Sequence, residues 1–274
     1  MNEHTPNRTP GRRRAPGFFR RPAAARLLAL ALLAPALLAP WAAARARTFD
    51  EFQVFDGRIA ETGGFDYNQH FVMGRRGKVD ENGGAPRNGL LVMPEIGYAT
   101  TTWHEVAVFL PVAREFSGDV FGGGFRVRNS FVVPGALDRP FAAGFDVVLR
   151  NQPYRFAESD WQATLRPILD LRAGPWRLFL NLDLEVPIGR GSPSFEPAVR
   201  LAREVTEKVR LGVEHFMDFG RVDRWETTRR QGHQLFATTD VEFTQRTAVQ
   251  IGLGHGLTRN SDRWAGKVIL RFDF

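Results

Sequence analysis

Trp264-Ala-Gly-Lys-Val-Ile-Leu-Arg-Phe-Asp-Phe274 closes the chain with a two-residue period. Trp264, Val268, Leu270, Phe272 and Phe274 share one side; Ala265, Lys267, Ile269, Arg271 and Asp273 share the other. In a strand these sets stand on opposite faces of the sheet. A solvated sheet gains nothing by ending on a large aromatic that it cannot bury. A strand with one face in lipid gives Phe274 a place at the membrane boundary, so this stretch predicts a transmembrane strand closing a barrel.

The same alternation recurs upstream. Trp176-Arg-Leu-Phe-Leu-Asn-Leu-Asp-Leu-Glu-Val186 has only apolar side chains at its even positions, over eleven residues. That length crosses a bilayer when tilted, and soluble strands are usually about half as long. Val106, Val108, Leu110 and Val112 oppose Glu105, and Phe141, Ala143, Phe145, Val147 and Leu149 oppose Asp146 and Arg150. Twelve such blocks are expected, at 64–74, 88–99, 103–112, 119–132, 141–151, 160–172, 175–186, 194–204, 207–217, 231–243, 246–256 and 263–274. Links at 100–102, 173–174, 205–206 and 244–245 are tight, whereas 75–87 and 218–230 are long and polar. Short turns on one side and long loops on the other are the asymmetry of an outer-membrane barrel. The fold class expected is therefore all-β, a closed antiparallel transmembrane barrel of about twelve strands, with both termini in the periplasm.

The amino end agrees with export. Residues 1–46 hold eight arginines and one acid, Glu3, with an apolar run from Leu27 to Pro40 before Trp41-Ala-Ala-Ala-Arg-Ala46. Basic, apolar, small-residue is the order of a removable signal peptide, with cleavage after Ala44 or Ala46. Fourteen apolar residues with two prolines are too short for a membrane anchor. The chain's net charge of +7 lies wholly in this segment, and the rest is neutral with 29 residues of each sign. The basic balance is thus no footprint for nucleic acid. Cysteine is absent, which excludes disulfides, thiolate metal sites and a cysteine nucleophile. The domains expected are the signal peptide (1–46), a periplasmic lead-in tucked into the barrel mouth (47–62) and the barrel (63–274). A plug in the lumen and an extra strand are the other readings of 47–62.

Positions alternating with the apolar face carry the chemistry. Glu105, Arg126, Arg128, Asp146, Arg166, Asp170, Arg177, Asp183, Glu185, Arg210, Glu214, Asp240 and Glu242 are expected to line the lumen. They form either the walls of a charge-selective conduit or a structural salt-bridge network that narrows it. No catalytic, cofactor-binding or metal-binding residues are expected. Gly122-Gly-Gly124 and Gly252, Gly254 and Gly256 precede no helix, so a phosphate cradle is excluded and a packing role is preferred. The six histidines lack ligand spacing, and Asp80-Glu-Asn82 lacks a full calcium loop. Ser130, Ser194 and Ser261 qualify for lipid hydrolysis by residue type alone.

The blocks Phe195-Glu-Pro-Ala-Val-Arg-Leu201, Lys208-Val-Arg-Leu-Gly-Val-Glu214, Gly252-Leu-Gly-His-Gly-Leu-Thr258, Gly97-Tyr-Ala and Trp103-His-Glu-Val-Ala resemble a family of outer-membrane barrels. So does the closing Lys267–Phe274 stretch. The family is similar to the transporters associated with phenol-degradation pathways, and the resemblance implies passage of small organic molecules, aromatic ones among them. Val268, Leu270, Phe272 and Phe274 also resemble the C-terminal signal read by the outer-membrane assembly machinery. The partners expected are that machinery, outer-membrane lipid and a small solute, with no nucleic acid. A passive channel is the leading function, a closed structural or interaction barrel the second, and a lipid-modifying enzyme a distant third.

Overall fold

The computed structural model describes residues 52–76, 88–135, 139–153 and 161–274, all within one compact unit. The expected signal peptide and the Asp80–Asn82 stretch lie outside the described residues. Eighteen strand segments make twelve barrel strands. Six are continuous: β1 (Phe65–Arg76), β2 (Asn88–Ala99), β7 (Phe141–Asn151), β8 (Trp161–Ala173), β17 (Thr247–Gly256) and β18 (Asp262–Asp273). The others are interrupted: β3 (His104–Phe109) with β4 (Val112–Glu115), β5 (Val120–Gly122) with β6 (Phe125–Val132), and β9 (Trp176–Asn181) with β10 (Leu184–Pro187). Likewise β11 (Ser194–Phe195) runs into β12 (Ala198–Glu204), β13 (Val209–Asp218) into β14 (Gly220–Arg221), and β15 (Arg224–Trp225) into β16 (Gly232–Thr244).

Proline explains three of the interruptions, because it has no N–H to donate to a ladder. The break between β3 and β4 holds Pro111 and faces Pro94, whose carbonyl accepts the Leu110 N–H at 3.1 Å. The break between β9 and β10 faces Pro167, which accepts the Leu182 N–H at 3.0 Å, and the break between β11 and β12 contains Pro197.

Every neighbouring pair is antiparallel, and β1 with β18 closes the ring from Asp66↔Asp273 to Arg76↔Asp262. Phe274 adds a last bond, its N–H to the Phe65 carbonyl at 2.7 Å. The observed strands match the expected ones closely. The largest difference is at 218–230, where Gly220 and Arg221 pair with Trp225 and Arg224, so that part of the expected loop continues the wall as a hairpin.

Burial alternates along the strands and sorts the two faces. Outward positions expose Ile96, Val108, Leu149, Leu211, Val213, Leu235, Ile251 and Leu253. Aromatics gather at both rims of this apolar belt: Phe65, Trp103, Phe141, Trp176, Phe243 and Phe274 at the end with the tight turns, and Phe116, Trp161, Trp225 and Trp264 at the loop end. An apolar band between two aromatic girdles is what a bilayer's hydrocarbon core and its two interfaces select.

Inside, missing side chains make room for large ones. A Cβ on Gly254 would lie 2.7 Å from the ring of Phe236, which is fully buried, and one on Gly252 would lie 2.9 Å from the Lys267 side chain. The glycine face of β17 thus receives a neighbouring aromatic and a lysine stem. Gly254→Leu is expected to lower folding stability by about 1–3 kcal/mol through overpacking, read as a lower urea midpoint for refolding into detergent or lipid. The outward-facing Leu253→Ile should leave that midpoint nearly unchanged.

Candidate functional site

The lumen concentrates the charge. Arg128 lies 2.8 Å from Glu95 and 3.0 Å from Glu105, and His70 Nε2 meets Glu95 at 2.9 Å. Arg166 grips Asp183 at 2.7 Å and approaches Asp146 at 3.6 Å. Arg150 donates to Glu185 at 2.7 Å, and Arg172 and Arg177 both reach Asp170 at 2.6 Å. Arg200 binds Asp240 and lies 3.5 Å from Glu214, which also holds Lys267. Arg210 completes the ring near Asp240 at 3.6 Å and Glu242 at 3.7 Å. Period two sends these side chains inward, and strand pairing sets acids beside bases: Asp146 opposes Arg166 in the ladder, and Arg210 opposes Asp240.

Twelve of the thirteen expected lumen residues appear in that network. The thirteenth, Arg126, is buried on the same inward face of β6. Arg166 and Asp183 also stand opposite each other, because the register set by the tight turn at 173–174 runs on through the interruption after Asn181 to Leu184↔Leu165.

A second component fills the space. Residues 52–60 run without regular structure inside the barrel. The Phe55 N–H donates to Asn181 Oδ1 at 2.7 Å, and Asn181 Nδ2 donates back to the Phe55 carbonyl at 2.9 Å. The Phe55 ring has the Arg166 guanidinium 4.1 Å and the Arg128 guanidinium 5.0 Å from its centroid. Such desolvated cation–π contacts are worth about 1–2 kcal/mol each. Phe52, with a left-handed φ of 39°, packs its ring 5.3 Å from Phe216 and 5.0 Å from Phe236. Its carbonyl accepts from Lys267 Nζ at 2.5 Å. Nearer the turns, the Ala60 N–H donates to Glu105 at 2.8 Å.

Burial alone would raise the Asp56 carboxyl, but Arg58, Arg177 and Arg271 outweigh it and hold the group well below the usual carboxylate range. A depressed pKa contributes stability that is fully present above the ordinary carboxylate value and is lost only as pH falls through the depressed one. The anchorage of Asp56 therefore persists through mildly acidic conditions.

The lead-in expected at the barrel mouth thus carries Phe52, Val54 and Phe55 to about mid-height. The signal for it lay in the wall: Phe179, Phe216 and Phe236 alternate with lumen charges and demand an apolar partner inside. Among the described residues, spaces around the segment include three lined by it. One lies at the loop end, and two others flank the segment nearer the turns. Gln53 contributes to the lining of all three.

Among the described residues, Ser130, Ser194 and Ser261 form no nucleophilic group with a histidine. Ser130 is buried opposite Asp146, Ser194 donates to Glu196 at 3.0 Å, and Ser261 Oγ accepts the His233 backbone N–H at 2.7 Å. Both ring nitrogens of His233 are engaged elsewhere, with His215 and Gln231, each at 3.2 Å.

The ion pairs are structural as well as electrostatic. Removing one partner of a buried pair strands the other charge, at a cost of about 3–5 kcal/mol. Lys267→Met is expected to destabilise the barrel by about that much, because Glu214 is fully buried beside it. Adding Glu214→Leu should recover most of the loss in the same urea-refolding measurement.

Comparison with known proteins gives the fold its setting. No protein-family model matches the chain, and no curated protein matches it. Among solved structures, an outer membrane channel from Pseudomonas putida F1 aligns at a TM-score of 0.55 and 14% identity, over 82% of this chain and 100% of that one. The NanC porin aligns at 0.52 and 7% identity, over 77% and 100%. At such identities the likeness is one of architecture: this chain has the closed antiparallel barrel fold of outer-membrane channels and porins.

Proposed function

We propose that the protein is a narrow passive channel of a Gram-negative outer membrane, admitting small solutes, aromatic ones among them. The observation that carries this reading is the lumen itself. It is a charge-lined interior in a closed barrel, occupied by one unstructured segment with separate spaces on both sides, each lined in part by Gln53. Charged walls of this kind select solutes by charge and size. The apolar belt, the two girdles and the likeness to channel barrels support placement in that membrane, and the alternation of turns and loops supports a periplasmic location for the tight turns. The signal-like amino end and the Val268, Leu270, Phe272 and Phe274 stripe fit export followed by insertion through the assembly machinery.

A second reading keeps the barrel closed, as a structural or interaction element. The paired state of the lumen arginines and the anchorage of residues 52–60 favour it. One experiment separates the two. In planar bilayers and swelling liposomes, the channel reading expects small, stable conductance and size-limited uptake. Deleting residues 48–58 should raise conductance at least severalfold while the barrel remains heat-modifiable on gels. A protein that stays electrically silent both with and without the segment is a closed barrel.

A further inference from the structure

One sector of the loop-end rim carries five exposed arginines: Arg229 and Arg230 ahead of β16, Arg259 between β17 and β18, Arg263 in β18 and Arg75 in β1. The connections lean on one another, Asn260 Nδ2 donating to the Arg230 carbonyl and the Leu257 N–H to the His233 carbonyl at 2.8 Å. Arg75 pairs with Trp264 and Arg76 with Asp262, so Arg263 is the extra residue of a bulge. A bulge re-aims side chains, and here Arg263 and Trp264 are both exposed. Among the described residues, none of the five guanidiniums has a hydrogen bond or an ion pair. Glu226 and Asp262, the carboxylates nearest in sequence to Arg229 and Arg263, are buried.

On the membrane side of these arginines the wall is apolar and has a gap. Period two sets Trp264 and Gly266 on the outward face of β18. Trp264 stands between Arg75 and His255 in the ladders, with the His255 ring 4.7 Å from its own. One row deeper, Gly266 stands between Met73 and Leu253, which are 51% and 62% exposed. A Cβ on Gly266 would meet only the Met73 methyl, at 3.8 Å. The missing side chain therefore leaves a trough between two apolar ridges, with an aromatic at its head and guanidiniums above.

We infer that this sector, from β16 across β18 to β1, binds a lipid whose headgroup carries two phosphate monoesters, the phosphates at the arginines and one acyl chain in the Gly266 trough. A guanidinium offers phosphate paired N–H donors in a fixed fork. Two phosphate monoesters carry about three to four negative charges near neutral pH, which the five arginines can balance. A phosphodiester lipid brings a single charge and leaves most of them unanswered. Free phosphate meets the arginines and leaves the trough empty. The inference rests on the outer-membrane reading above for where such a lipid is met, and on the rim and trough alone for its binding.

The test is native mass spectrometry of the mature protein, purified from membranes in detergent and titrated with four probes. These are bisphosphoryl lipid A, monophosphoryl lipid A, phosphatidylglycerol and inorganic phosphate. Bisphosphoryl lipid A is expected to bind at least about tenfold more tightly than any other, because each basic side chain near a membrane surface is worth about fivefold. Its affinity should fall as the salt concentration rises. Arg259→Gln with Arg263→Gln should weaken it at least about tenfold. Arg203→Gln with Arg246→Gln, at the opposite rim, should leave it unchanged. Gly266→Leu, which fills the trough from outside, should weaken the lipid and leave the urea midpoint unchanged. Equal affinity for the bisphosphoryl and monophosphoryl forms, or equal losses from the two arginine pairs, overturns the inference. Placement is read separately, by labelling Thr228→Cys on intact cells with an impermeant maleimide. Lipid binding without surface labelling supports the site and sinks the outward placement of the loops.

Discussion

The structure depends on one pairing, that of β1 with β18. In hydrocarbon an unpaired strand edge has no water to bond, so a sheet survives there only when its first and last strands meet. The eleven-residue register from Asp66↔Asp273 to Arg76↔Asp262, sealed by the Phe274 N–H on Phe65, meets that requirement. Closure then dictates everything else: outward side chains must suit lipid, and inward ones must share a confined space whatever their charge.

That confinement makes the interior a matching problem. Glu95, Glu105, Asp146, Asp170 and Glu214 are all nearly or fully buried, and none stands without a basic neighbour. The pairs alone would leave apolar rings facing water at mid-height. Residues 52–60 resolve this by bringing Phe52 to Phe216 and Phe236, and by setting Phe55 between two guanidiniums. Bonds between its backbone and the side chains of Asn181 and Lys267 fix the segment, so wall and filler are one packed unit.

The barrel was legible because lipid tolerates few exceptions. In Trp176–Val186 or Trp264–Phe274 every outward position answers to the same solvent, and a period of two survives to be counted. Strand ends were legible to within a few residues for the same reason. Proline positions were visible too, though their effect on the opposite strand, as with Pro167 facing Leu182, required the register. The inward face answers to many masters. Arg128 reaches Glu105 on the adjacent strand and Glu95 on the strand beyond it, and only the closed ring brings all three together. Residues 52–60 have no period, since an irregular segment tied by its backbone leaves no rhythm in its side chains.

The root of the lumen segment sets the direction in which it can travel. Gly63 donates to Ala99 at 2.7 Å and Gly64 returns a bond from the Ala99 N–H at 3.1 Å, so the tether is knotted to the wall at the turn end. The eleven described residues beyond that knot, 52–62, reach at most about 36–40 Å when straightened, more than the roughly 30 Å thickness of the hydrocarbon core. The segment is a stopper whose C-terminal end is tied to the wall. A pull from the side of the tight turns draws it out along its own length, whereas pressure from the loop end drives it against its anchorage. The barrel is thereby mechanically one-sided.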